Sequence, residues 1–297
     1  MTTAAVLAWP SPTPHRPVAR ISRTGSTPSA LALATPTAVP LEPGAFPAGA
    51  CVAFEPVTGP AKATVFLDAG HGGPDPGAAG TLPSGQTVYE KDLTLPVVLA
   101  AAKLLRDNGY RVVLSRTVDT SVAVLGPGDL DHQEFSTQGK HDDLVARVRC
   151  ADASGAAALV SVHFDAYPSG SVRGASTLYD AARPFAAQNQ ALAAQVQTEV
   201  LGALDAAGWS VPDRGIAPDT TVGGGEITPQ GQAYGHLDLL GPPDPGYVDQ
   251  PSTMPGALTE PLFLTNATEA AVAADPAGQQ AIAAGISQAV QQFLRAG

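Results

Sequence analysis

The sequence predicts an α/β fold: a single domain with a central, mostly parallel twisted sheet flanked by helices on both faces. Two nearly continuous apolar runs, at residues 64–67 and 157–163, have the composition of strands buried on both sides. Other segments, such as residues 94–108 and 278–294, carry apolar residues at helical spacing. Strands that alternate with helices along a chain are typical of a parallel sheet with crossover helices.

The first 60 residues differ in composition from the rest of the chain. They are rich in Pro, Ala, Ser and Thr and show no sustained period. We therefore predict a disordered Pro/Ala-rich leader at residues 1–60 and a folded domain at residues 61–297. The charge changes as well, because the residues before Glu42 contain three arginines and no acid, whereas the whole chain has a net charge of −11.

The acidic balance of the chain excludes some partners. The isoelectric point is near 4.8 and the sequence has no basic stripe, so we expect no nucleic acid partner. No run approaches the ~18 apolar residues of a membrane-spanning helix, so we expect no membrane span. The arginines near the start are followed only by a short apolar run at residues 30–34, and a signal sequence is therefore not clear.

Local signals set the remaining elements. After the first strand, a Gly/Pro-rich loop leads to Glu90 and then to a helix at residues 94–108. Asn108 and Gly109 are the signal that ends this helix. Further strands are predicted at residues 110–115, 172–179 and 257–264, and further helices from Leu144 onward and at residues 185–207. A long polar segment at residues 116–140 is interpreted as a loop over the functional site, and residues 209–252 as an irregular excursion.

Cys51 and Cys150 are the only cysteines of the chain. They could form one long-range disulfide or remain two buried thiols. Export from the cell would favour the disulfide. A bridge that closes a loop of this length could contribute ~4 to 5 kcal/mol in the chain-entropy model.

Four polar residues stand at or near predicted strand ends: His71, Glu90, His163 and Glu260. Open α/β sheets bind ligands at the carboxyl ends of their strands. A catalytic zinc site uses three protein ligands drawn from His and carboxylate groups, and the first three of these residues supply that set. Spacing alone does not separate ligands from hydrogen-bonded core histidines, and Glu260 could equally be a solvated acid at a strand end.

A series of blocks in the chain resembles a known family. The blocks are VFLDAGHGG, YEKDLTL, LSRTVDTSV, LVARVRCAD, LVSVHFDA, DRGI and MPGALTEPLFLTN, in this order over residues 63–297. The chain thereby resembles the zinc-dependent N-acetylmuramoyl-L-alanine amidases of the third amidase class, which are peptidoglycan hydrolases. Ala69, Asp165 and Leu262 depart from the family pattern, and Asp165 adds a negative charge beside a presumed ligand.

The resemblance implies a metal site and an activity. It implies that His71, Glu90 and His163 bind Zn²⁺, that Glu260 is the catalytic carboxylate, and that residues 61–297 form the zinc amidase domain. The implied reaction is hydrolysis of the amide between N-acetylmuramic acid and L-alanine, in peptidoglycan or a muropeptide, by an exported monomer in the cell wall, periplasm or extracellular space. Two alternatives stay open: another zinc amidase or peptidase on a related scaffold, and a non-catalytic wall-binding module.

Other polar residues have structural as well as functional interpretations. Asp68 either orients His71 or caps the turn, and Arg116 and Arg147 match family positions but could be structural ion-pair residues. His141 is expected to face solvent. His236 is a candidate for contacting the substrate or the water.

Overall fold

The structure is a computed structural model, and it describes residues 38–222 and 229–296. Most of the predicted leader, residues 1–37, lies outside the described residues, as do residues 223–228 and residue 297. Within the described part of the chain, no helix combines the length and the hydropathy that crossing a membrane requires.

Twelve strands are found among the described residues. They are β1 (Val39–Pro40), β2 (Ala50–Phe54), β3 (Thr64–Ala69), β4 (Ala79–Thr81), β5 (Thr87–Tyr89), β6 (Arg111–Arg116), β7 (Leu130–Asp131), β8 (Glu134–Phe135), β9 (Ala158–Val162), β10 (Ala175–Tyr179), β11 (Asp213–Pro218) and β12 (Gly256–Glu260).

Six α-helices lie in the same described ranges. They are α1 (Glu90–Asp107), α2 (Thr137–Ser154), α3 (Ala186–Ala206), α4 (Pro229–Tyr234), α5 (Ala267–Ala274) and α6 (Pro276–Ala296), and a 3₁₀ turn covers Asp219–Val222.

Eight strands form one sheet in the order β1-β2-β6-β3-β9-β12-β10-β11. The central run β6-β3-β9-β12 is parallel, and β10 with β11 form a second parallel pair that runs antiparallel to β12. β1 and β2 add antiparallel pairings at the other edge. The predicted α/β fold with a mostly parallel sheet is confirmed, with antiparallel additions at both edges.

Helices cover both faces of the sheet, because the side chains of each central strand alternate between two cores. In β3, Val65 and Leu67 pack into a core shared with α1, α3 and α6. Phe66 points to the other face, into a smaller core that contains Val148 of α2 and Leu240. Both cores consist of buried aliphatic and aromatic side chains, which fixes the register of the central strands.

The predicted boundary at residue 61 is wrong for residues 38–60. β2 pairs antiparallel with β6, with Val52 opposite Leu114, and Cys51 forms a disulfide with Cys150 of α2. The disulfide decides between the two cysteine alternatives in favour of the bridge. The sequence hides this strand because it is only five residues long, ACVAF, and lies between Gly- and Pro-rich segments.

Two segments interpreted as irregular contain regular structure. Residues 209–252 include β11, which joins the sheet as an edge strand, and α4. The 116–140 segment includes the hairpin of β7 and β8 and the start of α2, where the Ser136 side chain accepts a hydrogen bond from the Gly139 amide. α1 begins at Glu90, four residues before its predicted start, and α5 was not predicted.

Removing the disulfide should destabilise the fold. The bridge joins cysteines 99 positions apart, so Cys51→Ala with Cys150→Ala should lower the free energy of unfolding by about 4 kcal/mol. Urea denaturation measures the loss. The wild-type protein in reducing agent should unfold at the urea concentration of the double variant; equal midpoints for the oxidised wild type and the variant would contradict the prediction.

Candidate metal centre

The sheet brings three of the predicted site residues together. His71 follows β3 and His163 follows β9, and these strands are parallel neighbours with Ala69 opposite Val162. Glu90 is the first residue of α1, after the hairpin of β4 and β5. The carboxyl ends of two adjacent strands and one helix start therefore converge on one point, as the positions in the sequence predict.

The three side chains face one another at short distances. His71 Nε2 lies 3.0 Å from Glu90 Oε2, and His163 Nδ1 lies 3.0 Å from Glu90 Oε1. The two ring nitrogens are 3.2 Å apart. One ligand atom from each residue falls within 4.8 Å of the other two. Two imidazole nitrogens and a carboxylate oxygen are the donor set of a catalytic zinc site.

Glycine and strained backbone make this approach possible. His71 has a φ of 60°, in the left-handed region that most residues avoid. A Cβ on Gly70 would lie 2.4 Å from the His163 ring, and a Cβ on Gly77 would lie 2.6 Å from the His71 ring and 2.7 Å from Glu90 Oε2. Any side chain at either position would displace a ligand.

Backbone amides and a carboxylate fix the ligands from behind. Glu90 Oε2 accepts a hydrogen bond from the Ala78 amide and Oε1 accepts one from the Phe164 amide, both at 2.9 Å. His71 Nδ1 lies 2.7 Å from Asp75 Oδ2, so Asp75 orients the ring and directs Nε2 toward the centre. Sequence reasoning missed Asp75, although its position in the GHGGPDPG loop, four residues after His71, was a usable signal.

The electrostatics of the ligands reflect their close approach. Burial alone would lower the pKa of His71, but the Glu90 and Asp75 carboxylates outweigh it and raise the pKa to about 10. Burial would raise the pKa of Glu90, but His71 and His163 hold it well below its usual range. Glu90 is therefore an anion, and its charge stabilises a positive charge held between the two histidines.

Glu260 ends β12, the strand beside β9, where Thr259 is opposite Val162. Its Oε2 is buried and has no hydrogen-bond partner in the described part of the chain. Burial, with the charges of Glu90 and Asp165, raises the pKa of Glu260 well above its usual value. An orphaned buried carboxylate beside the three ligands is an acid–base group without a structural task.

Asp68 does not bond to His71, but acts through Arg147. Asp68 Oδ1 lies 2.7 Å from Arg147 Nη1, and Oδ2 accepts a hydrogen bond from Ser161. Arg147 in turn donates to the His71 carbonyl at 2.7 Å. Asp143 pairs with the Arg147 Nε at 2.9 Å. Arg147 is therefore a buried structural ion-pair residue that fixes the backbone under the first ligand.

A cavity of about 110 Å³ opens beside His71 and His163. Its lining combines charged groups, including Lys140 and Arg147, with apolar ones such as Phe135 and Leu239. The predicted loop contributes Phe135 to this wall. The cavity gives a ligand access to the exposed side of the two histidines.

Two further histidines, His141 and His236, lie outside the cluster of His71, Glu90 and His163. His141 is stacked on Tyr247 with ring centroids 4.3 Å apart and is partly buried, so the expectation that it faces solvent is wrong. His236 lies with Asp180 and Asp219 in a second cluster, apart from the three ligands.

Known proteins with related sequences and structures include N-acetylmuramoyl-L-alanine amidases. The family model described as N-acetylmuramoyl-L-alanine amidase matches residues 65–292. The chain is 29% identical over 230 residues to the germination-specific N-acetylmuramoyl-L-alanine amidase of Bacillus subtilis. The aligned region covers 77% of this chain and 79% of that protein.

Solved structures share the fold. The CwlD amidase from Clostridioides difficile, solved in complex with the GerS lipoprotein, has a TM-score of 0.59 and 25% identity over 80% of this chain and 100% of that chain. The catalytic domain of CwlV from Bacillus (Paenibacillus) polymyxa has a TM-score of 0.54 and 26% identity over 79% of this chain and 99% of that chain.

The Asp68–Arg147 pair should stabilise the fold in a pH-dependent way. Burial would raise the pKa of Asp68, but Arg147 lowers it to about 2. Asp68→Asn leaves a buried guanidinium without this partner and should cost about 3 to 5 kcal/mol of unfolding free energy at pH 7. Because the folded pKa lies below the unfolded value, the stabilisation is present above pH ~4 and is lost as the pH falls toward 2.

Urea unfolding at a series of pH values measures both effects. Asp119→Asn is the matched control, because Asp119 pairs with Lys91 at 2.8 Å but is 50% exposed, and its loss should cost less than about 1 kcal/mol. An Asp68→Asn deficit as small as that of the control, or one that does not shrink in acid, would show that the buried pair does not stabilise the fold.

Proposed function

The chain belongs to the N-acetylmuramoyl-L-alanine amidase family and cleaves the amide between N-acetylmuramic acid and L-alanine of peptidoglycan, and we propose that it does so with zinc held by His71, Glu90 and His163. The observation that carries the proposal is the convergence of their three ligand atoms within 4.8 Å. The residues fit the metal, because each Glu90 oxygen accepts a hydrogen bond from a backbone amide, and His71 Nδ1, the ring nitrogen that faces away from the centre, contacts the Asp75 carboxylate.

Bound at these ligands, zinc would polarise the amide carbonyl and lower the pKa of water. The chain supplies the proton transfers through Glu260, which we propose as the catalytic carboxylate. Its Oε2 has no competing hydrogen bond, so it can accept a proton from the attacking water and deliver it to the departing L-alanine amine. A raised pKa lets Glu260 hold this proton between the two steps.

We further propose that the protein acts outside the cytoplasmic membrane. Its substrate is the cell wall, and the Cys51–Cys150 disulfide favours an oxidising compartment. Fractionation of producing cells, with alkylation of free thiols, tests this: recovery in the cytosol with both cysteines alkylated would contradict it. The peptidase and wall-binding alternatives have no matching observation.

The reaction is tested by mass spectrometry of muropeptides. Intact stem peptides with an L-alanine amino terminus should appear with the zinc-loaded protein and disappear after chelation. Cuts within the stem would instead indicate a peptidase, and zinc loading without released peptides would indicate a binding module.

Glu260→Gln should separate metal binding from catalysis. The substitution keeps the shape of the side chain but removes its basicity, so kcat should fall by about 10²- to 10⁴-fold while zinc content stays unchanged. Glu55→Gln, an exposed acid paired with Arg111, is the control and should retain wild-type turnover. Near-normal activity of Glu260→Gln would remove Glu260 from the mechanism.

Asp75→Asn should weaken the metal site without removing a ligand. The change exchanges a carboxylate for an amide beside His71 Nδ1, so zinc affinity should fall by about 10- to 100-fold. Competition with a chromophoric chelator measures the affinity. The exposed Asp92→Asn on α1 should bind zinc like the wild type, and an equal affinity for Asp75→Asn would show that Asp75 does not position His71.

A further inference from the structure

A second cluster of ligand-type side chains lies at the opposite end of the sheet. Asp180 follows β10 and Asp219 follows β11, at the carboxyl ends of two parallel strands. β10 runs antiparallel to β12, with Ser176 opposite Glu260. Asp180 is therefore level with the start of β12, about 13 Å along the strands from Glu260. The cluster is separate from the three ligands of the amidase site.

The cluster has one imidazole nitrogen between two carboxylates. His236 Nδ1 is hydrogen-bonded to Asp219, at 3.2 Å from Oδ1 and 3.3 Å from Oδ2. Asp180 Oδ2 lies 2.8 Å from the same nitrogen but is not in hydrogen-bonding geometry with it, and this buried oxygen has no hydrogen-bond partner in the described residues. The single proton on His236 Nδ1 forms its hydrogen bond with Asp219, so Asp180 Oδ2 receives none.

Backbone amides hold both carboxylates in this arrangement. Asp180 Oδ1 accepts hydrogen bonds from the amides of Ala182 and Arg183, and Asp219 Oδ2 accepts one from the Leu237 amide. These bonds leave Asp180 Oδ2 and Asp219 Oδ1 directed at His236. Both aspartate side chains are fully buried, so a second negative charge here requires a compensating cation.

The side chain of the neighbouring Arg183 does not bond to the two carboxylates. The guanidinium of Arg183 donates to three backbone carbonyls, those of Leu240, Gly241 and Ser252. The Arg183 guanidinium therefore leaves the two carboxylates to His236, and it does not satisfy Asp180 Oδ2.

We propose that Asp180, Asp219 and His236 bind a divalent transition-metal cation, of which Zn²⁺ is the representative. A cation in place of the single ring proton would contact one nitrogen and two carboxylate oxygens at once. Imidazole with carboxylates suits zinc, whereas calcium prefers oxygen ligands throughout. The cation would join the ends of β10 and β11 to the segment after α4, whose Leu237 and Leu239 line the cavity beside His71.

Zinc stoichiometry tests this site independently of activity. The purified full-length protein is stripped with a chelator, reloaded with low micromolar Zn²⁺, passed through gel filtration and assayed by atomic emission. The wild type should hold about two zinc ions per chain, and Asp219→Asn and His236→Gln about one. Asp205→Asn, the same exchange at an exposed position of α3, should keep the wild-type content.

Glu90→Gln separates the two sites, because it changes the amidase site and leaves the second cluster intact. This variant lacks one ligand of the amidase site, and it should still retain zinc that Asp219→Asn, added to it, removes. Full zinc content in folded His236→Gln and Asp219→Asn would overturn the second site. Loss of all zinc from folded Glu90→Gln would overturn it as well, whereas failure of the amidase proposal would appear as unchanged zinc content in Glu90→Gln.

Discussion

The carbonyl groups at the end of β3 set the position of the metal centre. The chain leaves the sheet there, and a buried carbonyl without a partner is costly. Two buried arginines satisfy these groups: Arg116 donates to the carbonyls of Ala69 and Gly70, and Arg147 to those of Ala69 and His71. The strained turn at His71 is held by these bonds. The charge of Arg147 is stabilised only because Asp68 and Asp143 are buried with it.

The same environment separates the roles of two glutamates. Burial acts on both, but two histidines hold the pKa of Glu90 well below its usual range, whereas the charges of Glu90 and Asp165 add to burial and raise the pKa of Glu260. Two acids with pKa values driven in opposite directions have different chemical tasks. In the proposed site, the anion would hold the cation and the other carboxyl group would exchange a proton. Both residues are glutamates, so the opposite directions of their pKa shifts come from their neighbours and not from the side chain itself.

The sequence predicted what depends on local pattern. The central strands follow from apolar runs and glycines, whereas the grouping of His71, Glu90 and His163 was predicted from their places at strand ends together with the family resemblance. β2 could not be recognised, because its pairing with β6 and its disulfide depend on contacts distant in sequence. The same holds for the cluster at His236: its two aspartates follow strands 39 residues apart, and one of these strands, β11, was not predicted.

The two clusters share one construction and differ in access. In both, backbone amides bond to carboxylate oxygens and so fix the direction of the charge toward an imidazole. At the amidase site, the histidines line a cavity and are about one-fifth exposed. At the second cluster, both aspartates are fully buried and His236 is 18% exposed. The second cluster does not line the cavity beside His71, so a cation bound there would join β10 and β11 to the segment after α4 instead of meeting the substrate.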